Sequence, residues 1–107
     1  MECVIGGSGS VGQTIADKDV LAHIEAGAGD RKDFLSVIEQ DSRYNTFYHL
    51  SDYRRGLLAW YDFQPGSRLL ELGAEFGALT GLFCEFCGQV VAVEGDEVKA
   101  AGLRTRC

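Results

Sequence analysis

Leu69-Leu70-Glu71-Leu72-Gly73-Ala74-Glu75-Phe76-Gly77-Ala78-Leu79-Thr80, followed by Gln89-Val90-Val91-Ala92-Val93-Glu94, decides the fold. The first four residues form a short apolar run, the pattern of a strand buried on both faces. Gly73–Gly77 is a tight glycine loop. Residues 78 to 86 or 87 predict a helix, with Gly88 at its C′ position. Residues 89–93 are Val-rich and predict a second strand, after which Asp96 caps a final helix. Residues 67–94 thus form one β-α-β unit, with a right-handed crossover expected. Two parallel strands leave open edges and cannot shield their own apolar faces. The expectation is an α/β chain that forms the first half of a larger domain.

Upstream, the pattern is helical. Asp17 is placed as the N-cap of a helix over Lys18–Ala26, with Val20, Leu21 and Ile24 on one face. Asp30 is placed as the cap of a second helix, with Asp33 in its first turn and an apolar stripe Phe34, Leu35 and Ile38 up to about Gln40. Residues 41–47 are expected to be a polar connection. Ser51 caps a third helix carrying Tyr53, Leu57, Trp60 and Tyr61, and Phe63-Gln64-Pro65-Gly66 turns the chain into the first strand. The chain thus divides into a linker and helical segment, 1–47, and a truncated α/β half-domain, 48–107.

The chain has 107 residues, 46% hydrophobic and 24% charged. This is an ordinary globular composition that excludes collagenous and disordered classes. No apolar run is long enough for a membrane span, and the N-terminus carries no basic and apolar leader pattern. The net charge of -6 gives no general attraction to phosphate backbones. Of the four cysteines, Cys84 and Cys87 form a lone pair three residues apart. A structural zinc site needs a second pair, so no metal is expected. A redox pair normally opens a helix, whereas this one lies inside one, and both thiols are expected to pack inward. Unpaired thiols suit a reducing cytoplasm.

A glycine loop between strand and helix lets a ligand approach the backbone closely at the carboxyl end of the sheet. Glu94 ends the second strand, 21 residues after Gly73, where an acid can accept hydrogen bonds from both ribose hydroxyls of a nucleoside. No Gly-Lys-Ser/Thr is present after the loop, which excludes a Walker-type phosphate cradle. The loop resembles motif I of the class I S-adenosylmethionine-dependent methyltransferases: Glu71, Gly73 and Gly77 match, while Glu75 stands where a glycine is usual. The resemblance covers residues 48–98. It implies a partial Rossmann-like methyltransferase fold with S-adenosylmethionine as cofactor. Glu71, Gly73, Ala74, Glu75 and Gly77 would surround its methionine end, Tyr48 would close over the carboxylate, and Glu94 would hold the ribose. Leu70–Thr80 with Ala92-Val93-Glu94 is similar to rRNA adenine dimethylases. Tyr48-His49-Leu50-Ser51 and Trp60-Tyr61 before Pro65-Gly66 look more like methyltransferase domains beside bacterial surface-glycan glycosyltransferases. A glycan precursor or other small molecule is therefore favoured over RNA as methyl acceptor. Acceptor-orienting residues usually come after the fourth strand of that superfamily, so no catalytic residue is assigned. A side chain at Glu75 is costly if the loop requires positive φ there.

Two other readings stand beside this one. The chain is a non-catalytic or truncated nucleoside-binding module that needs a missing half or partner, with self-association through exposed sheet edges. Alternatively, Gly7-Ser8-Gly9-Ser10-Val11-Gly12, a literal Gly-x-Gly-x-x-Gly after Val4-Ile5, binds NAD(P). Against the latter, the preceding strand is short and no second strand ends in an acid about 20 residues on, so the segment is expected to be a linker. His23 is expected on the surface, His49 in a packing or capping role, Trp60 and Tyr61 in the core, and Arg54-Arg55 on a solvated helix face.

Overall fold

The apolar run at 69–72 and the Val-rich run at 89–93 form strands β2 (Arg68–Leu72) and β3 (Gln89–Val93) in a computed structural model that describes residues 2–4, 15–27 and 34–107. Between them lies helix α4, Thr80–Phe86, and after them α5, Glu97–Arg106. The sequence-based β-α-β unit is therefore present, with strands in parallel register from Arg68 opposite Gln89 to Leu72 opposite Val93. Asp96 caps α5 as expected, its carboxylate accepting the Lys99 backbone N–H at 3.0 Å. Gly88 is not a left-handed cap. Its backbone lies so close to Pro65 and Gly66 that a Cβ would sit 3.2 Å from their atoms.

A third strand corrects the N-terminal expectation. Residues Glu2–Val4, β1, pair in parallel with β3, Glu2 opposite Val91, giving the order β1-β3-β2. Backbone hydrogen bonding to a Val-rich neighbour is enough to recruit three residues that show no periodicity of their own. The Gly7–Gly12 motif, Asp30 and Asp33 lie outside the described residues.

Helix α1 spans Ile15–Ala26 and starts earlier than expected, so Asp17 is inside it. Asp17 is buried there and accepts a hydrogen bond from the Asn45 side chain at 3.1 Å. Helix α2 is Leu35–Gln40. The expected polar connection at 41–47 is partly helical, because α3 runs from Tyr44 to Leu50. Asp41 organises its start: its carboxylate accepts from Arg43, Thr46 and His23. The Arg43 guanidinium first, then the Thr46 hydroxyl, hold that carboxyl well below the usual carboxylate range. His23, expected on the surface, is half-buried and ties α1 to this turn.

Ser51 caps the next element as expected, accepting the Tyr53 backbone N–H, but that element is a 3₁₀ helix over Asp52–Leu57. With three residues per turn instead of 3.6, the apolar stripe loses its face. Trp60 and Tyr61 lie beyond the end of this helix and are exposed, Trp60 at 76%, which overturns their expected core role. Cys84 is also exposed and Cys87 only half-buried, so the thiols do not both pack inward.

The core gathers on one face of the sheet. Val20, Ile24, Phe34, Leu50 and Phe76 join α1, α3 and the glycine loop. Ala74, Ala92 and Leu103 join the loop and β3 to α5, and Leu82, Phe83 and Val90 join α4 to β3. Since in-register residues of parallel strands share a face, Leu70, Leu72, Val91 and Val93 line the opposite one. That face is open: Leu70 is 62% and Leu72 73% exposed. β2, expected to be buried on both sides, is half-buried at Leu69 and Glu71 and exposed on the other face. No helix among the described residues is long and apolar enough to cross a membrane.

Candidate functional site

The glycine loop closes at the carboxyl ends of β2 and β3, where open parallel sheets present ligand sites. Its path requires three left-handed residues: Gly73 at φ 70°, Glu75 at φ 55° and Gly77 at φ 84°. At Gly77 the requirement is doubled, since a Cβ would meet Leu103 Cδ1 at 2.8 Å. At Gly73 nothing lies within 4 Å of that position, leaving open space above the backbone.

The loop's amides are bonded internally. Gly73 and Ala74 donate to the Val93 carbonyl, at 2.9 and 3.1 Å, and Gly77 donates to the Ala74 carbonyl at 3.0 Å. Glu75 donates to Glu94 Oε1 at 2.7 Å, while Glu94 Oε2 accepts from Asp96 at 2.9 Å. Glu94 is 8% exposed, so it is not a freely solvated strand-end carboxylate. It ties the loop to the start of α5. A carboxylate has about four lone-pair sites, so two acceptor directions remain beyond these bonds.

Glu71 projects to the α4 side, where Oε1 accepts from the Thr80 hydroxyl at 2.6 Å. Burial pushes its carboxyl above the ordinary range, against the pull of Thr80 and Arg54. Glu71, Gly73 and Ala74 line a cavity of about 340 Å³ along β2, completed by Arg54, Leu69, Leu70, Leu72, Leu79 and Phe83. A larger cavity of about 410 Å³ meets the loop at Gly77 and Ala78 and is also lined by Arg106. Tyr48, Glu75 and Glu94 line neither cavity.

Tyr48 sits on α3 beside the loop, and the Arg54 guanidinium stacks on its ring, 4.3 Å from the centre. Arg54 also faces Glu75 Oε2 at 3.6 Å. It is thus not the solvated helix residue expected. Its neighbour Arg55 pairs with Glu85 at 2.8 Å. His49 has the packing role expected of it, edge-on to Phe76 with centres 4.8 Å apart and 3% exposed. Burial first, then Lys99, lowers its pKa to about 4. Arg106, which no motif or spacing singles out, donates to the His49 carbonyl at 2.7 Å and to the Phe76 carbonyl at 3.4 Å, joining α3, the loop and α5. Burial lowers its pKa. The structure therefore joins Glu75 to Glu94 directly, links Tyr48 to Glu75 through Arg54, and sets Glu71 against α4 with Arg54 lining the same cavity. Compared with known proteins, the chain matches no family model, no curated protein and no solved structure.

Proposed function

We propose that this chain is the cofactor-binding portion of an S-adenosylmethionine-dependent methyltransferase with a partial Rossmann-like fold. The observation that carries the proposal is the joining of the Gly73–Gly77 loop to Glu94 across adjacent parallel strands. An acid at the end of the neighbouring strand, within reach of a glycine loop, is the arrangement that recognises a nucleoside ribose. Open space over Gly73 and the cavity beside Glu71 offer room for the methionine end. The bare Leu70–Leu72 face and the open edge of β2 fit a sheet that continues with further strands and helices. A small-molecule acceptor is favoured over RNA by the net charge of -6.

Isothermal titration with S-adenosylhomocysteine and with NAD tests the proposal. Heat of binding for the adenosyl ligand and none for NAD is expected. NAD binding with no response to the adenosyl ligand overturns it.

A second reading gains from one observation. β1 lies before the Gly7–Gly12 segment in the chain and α1 after it, and a strand and a helix in that order flank the motif of a dinucleotide site. The next strand in the chain is β2, beginning at Arg68, so among the described residues no acid-ended strand lies at the spacing such a site uses. The same titration separates the two.

A further inference from the structure

Glu75 holds a conformation that L side chains seldom adopt, φ 55°, at a loop position where glycine would carry no strain. Its side chain is half-buried and turned toward three basic groups. Arg54 lies 3.6 Å from its carboxylate, His49 Nδ1 3.9 Å and Lys99 Nζ 3.9 Å. None of these distances is a hydrogen bond. His49 Nδ1 is buried with no hydrogen-bond partner, on a side chain only 4% exposed. An orphaned polar atom in such a place calls for an explanation. Two cations and an orphaned imidazole nitrogen therefore surround one carboxylate that bonds to none of them at hydrogen-bond distance.

Basic groups converge here in an acidic chain. The protein carries -6 overall, yet here two permanent cations and an imidazole donor converge, from α3, the 3₁₀ helix and α5. Asp17 and Arg106 also face His49, and Glu94 is committed to the Glu75 and Asp96 amides.

We propose that Glu75 is an internal plug. Its carboxylate covers a small-oxyanion site formed by His49, Arg54 and Lys99, and a ligand's carboxylate or phosphate takes that place when the Glu75 side chain swings out. The strained backbone keeps the plug aimed at the cations, and the side chain alone moves. The site is a point-charge pocket for one oxyanion group, because the Gly73, Ala74, Glu75 and Gly77 amides that could line a larger cradle already bond to Val93, Glu94 and Ala74. The proposal does not depend on the methyltransferase reading.

The test is an NMR titration with inorganic phosphate and, separately, acetate, at fixed ionic strength. It tracks the His49 imidazole and Lys99 ammonium signals in the native chain, in Glu75→Gly and in Glu75→Gly with Arg54→Gln. Glycine removes the backbone strain, so the loop is expected to keep its path. Glu75→Gln, equal in size but uncharged, serves as a second variant. Glu75→Gly should bind at least about tenfold more tightly than the native chain, and Arg54→Gln should abolish the gain. The stronger of the two anions tells a phosphate site from a carboxylate site. Equal affinity in the native chain and both Glu75 variants, or a gain that survives Arg54→Gln, would overturn the proposal. Neither probe carries a nucleoside, so this result is independent of adenosyl-ligand binding.

Discussion

Replacing Glu94 by Gln asks what the carboxylate does when no ligand is present. The native group accepts two backbone N–H bonds, at 2.7 Å from Glu75 and 2.9 Å from Asp96, with only 8% of the residue exposed. Glutamine is almost the same size but offers one carbonyl oxygen and one NH₂. One bond survives, weakened because its acceptor is no longer charged. The other becomes two donors facing each other. Hydrogen bonds to charged groups are worth about 1.5–3 kcal/mol, and an orphaned buried donor costs about 1–3 kcal/mol. Since the site is partly solvated, the lower halves of these ranges apply, and Glu94→Gln should destabilise the fold by about 2–3 kcal/mol. Urea unfolding, repeated at several protein concentrations to separate association from folding, gives the total. Amide hydrogen exchange at Glu75 and Asp96 gives the location, with protection falling at one or both. An unchanged urea midpoint with unchanged exchange at both amides would refute the clamp and return Glu94 to the role of an idle acid.

Stability should fall as pH drops from about 6.5 to about 4. The buried His49 stays neutral in the folded state until about 4, while the unfolded chain takes up the proton near 6.5. The loss is up to about 3 kcal/mol. Glu71, with its raised carboxyl pKa, contributes the opposite slope, so the difference between the native chain and His49→Gln in urea midpoints across this window isolates the histidine. Gly77→Ala should cost about 2–3 kcal/mol, because the added Cβ would be both at positive φ and 2.8 Å from Leu103; a midpoint equal to native would contradict the loop geometry. Leu70→Lys combined with Leu72→Lys should shift sedimentation toward the monomer, since both side chains stand on the open face of the sheet. An unaltered distribution would remove that face from any self-association.

The β-α-β unit was legible because its signals are local. Apolar runs of four or five residues, a glycine loop that demands left-handed backbone and an Asp96 cap all act within a few residues of where they are written. The features that escaped depend on distant partners. β1 is three residues long and becomes a strand only by hydrogen bonding to β3. At the start of α3 the distant partner is His23, brought from α1 onto Asp41, whose other partners, Arg43 and Thr46, are local and read only as a polar connection. A 3.6-residue period put Trp60 and Tyr61 in the core, and the 3₁₀ helix does not keep that period. At the site, the spacing of Gly73, Gly77 and Glu94 placed the loop and its acid correctly beside each other. Arg54, Lys99 and Arg106 reach the loop from distant parts of the chain, so no spacing could reveal them. The cost of a side chain at Glu75 was readable from the loop pattern alone, and the observed φ of 55° makes that condition real.

The pairing of β1 with β3 also sets a timetable. Glu2 pairs opposite Val91, so β1 waits for β3, which is made almost ninety residues later. At about 5–20 residues per second, that interval is on the order of 5–20 s on the ribosome, during which the N-terminal segment has no sheet to join. β2, α4 and β3 are close in sequence and can assemble with little loop-closure entropy, whereas seating β1 on β3 closes a loop of about 90 residues. β1 should therefore dock after the β2-α4-β3 unit has formed and fray before it.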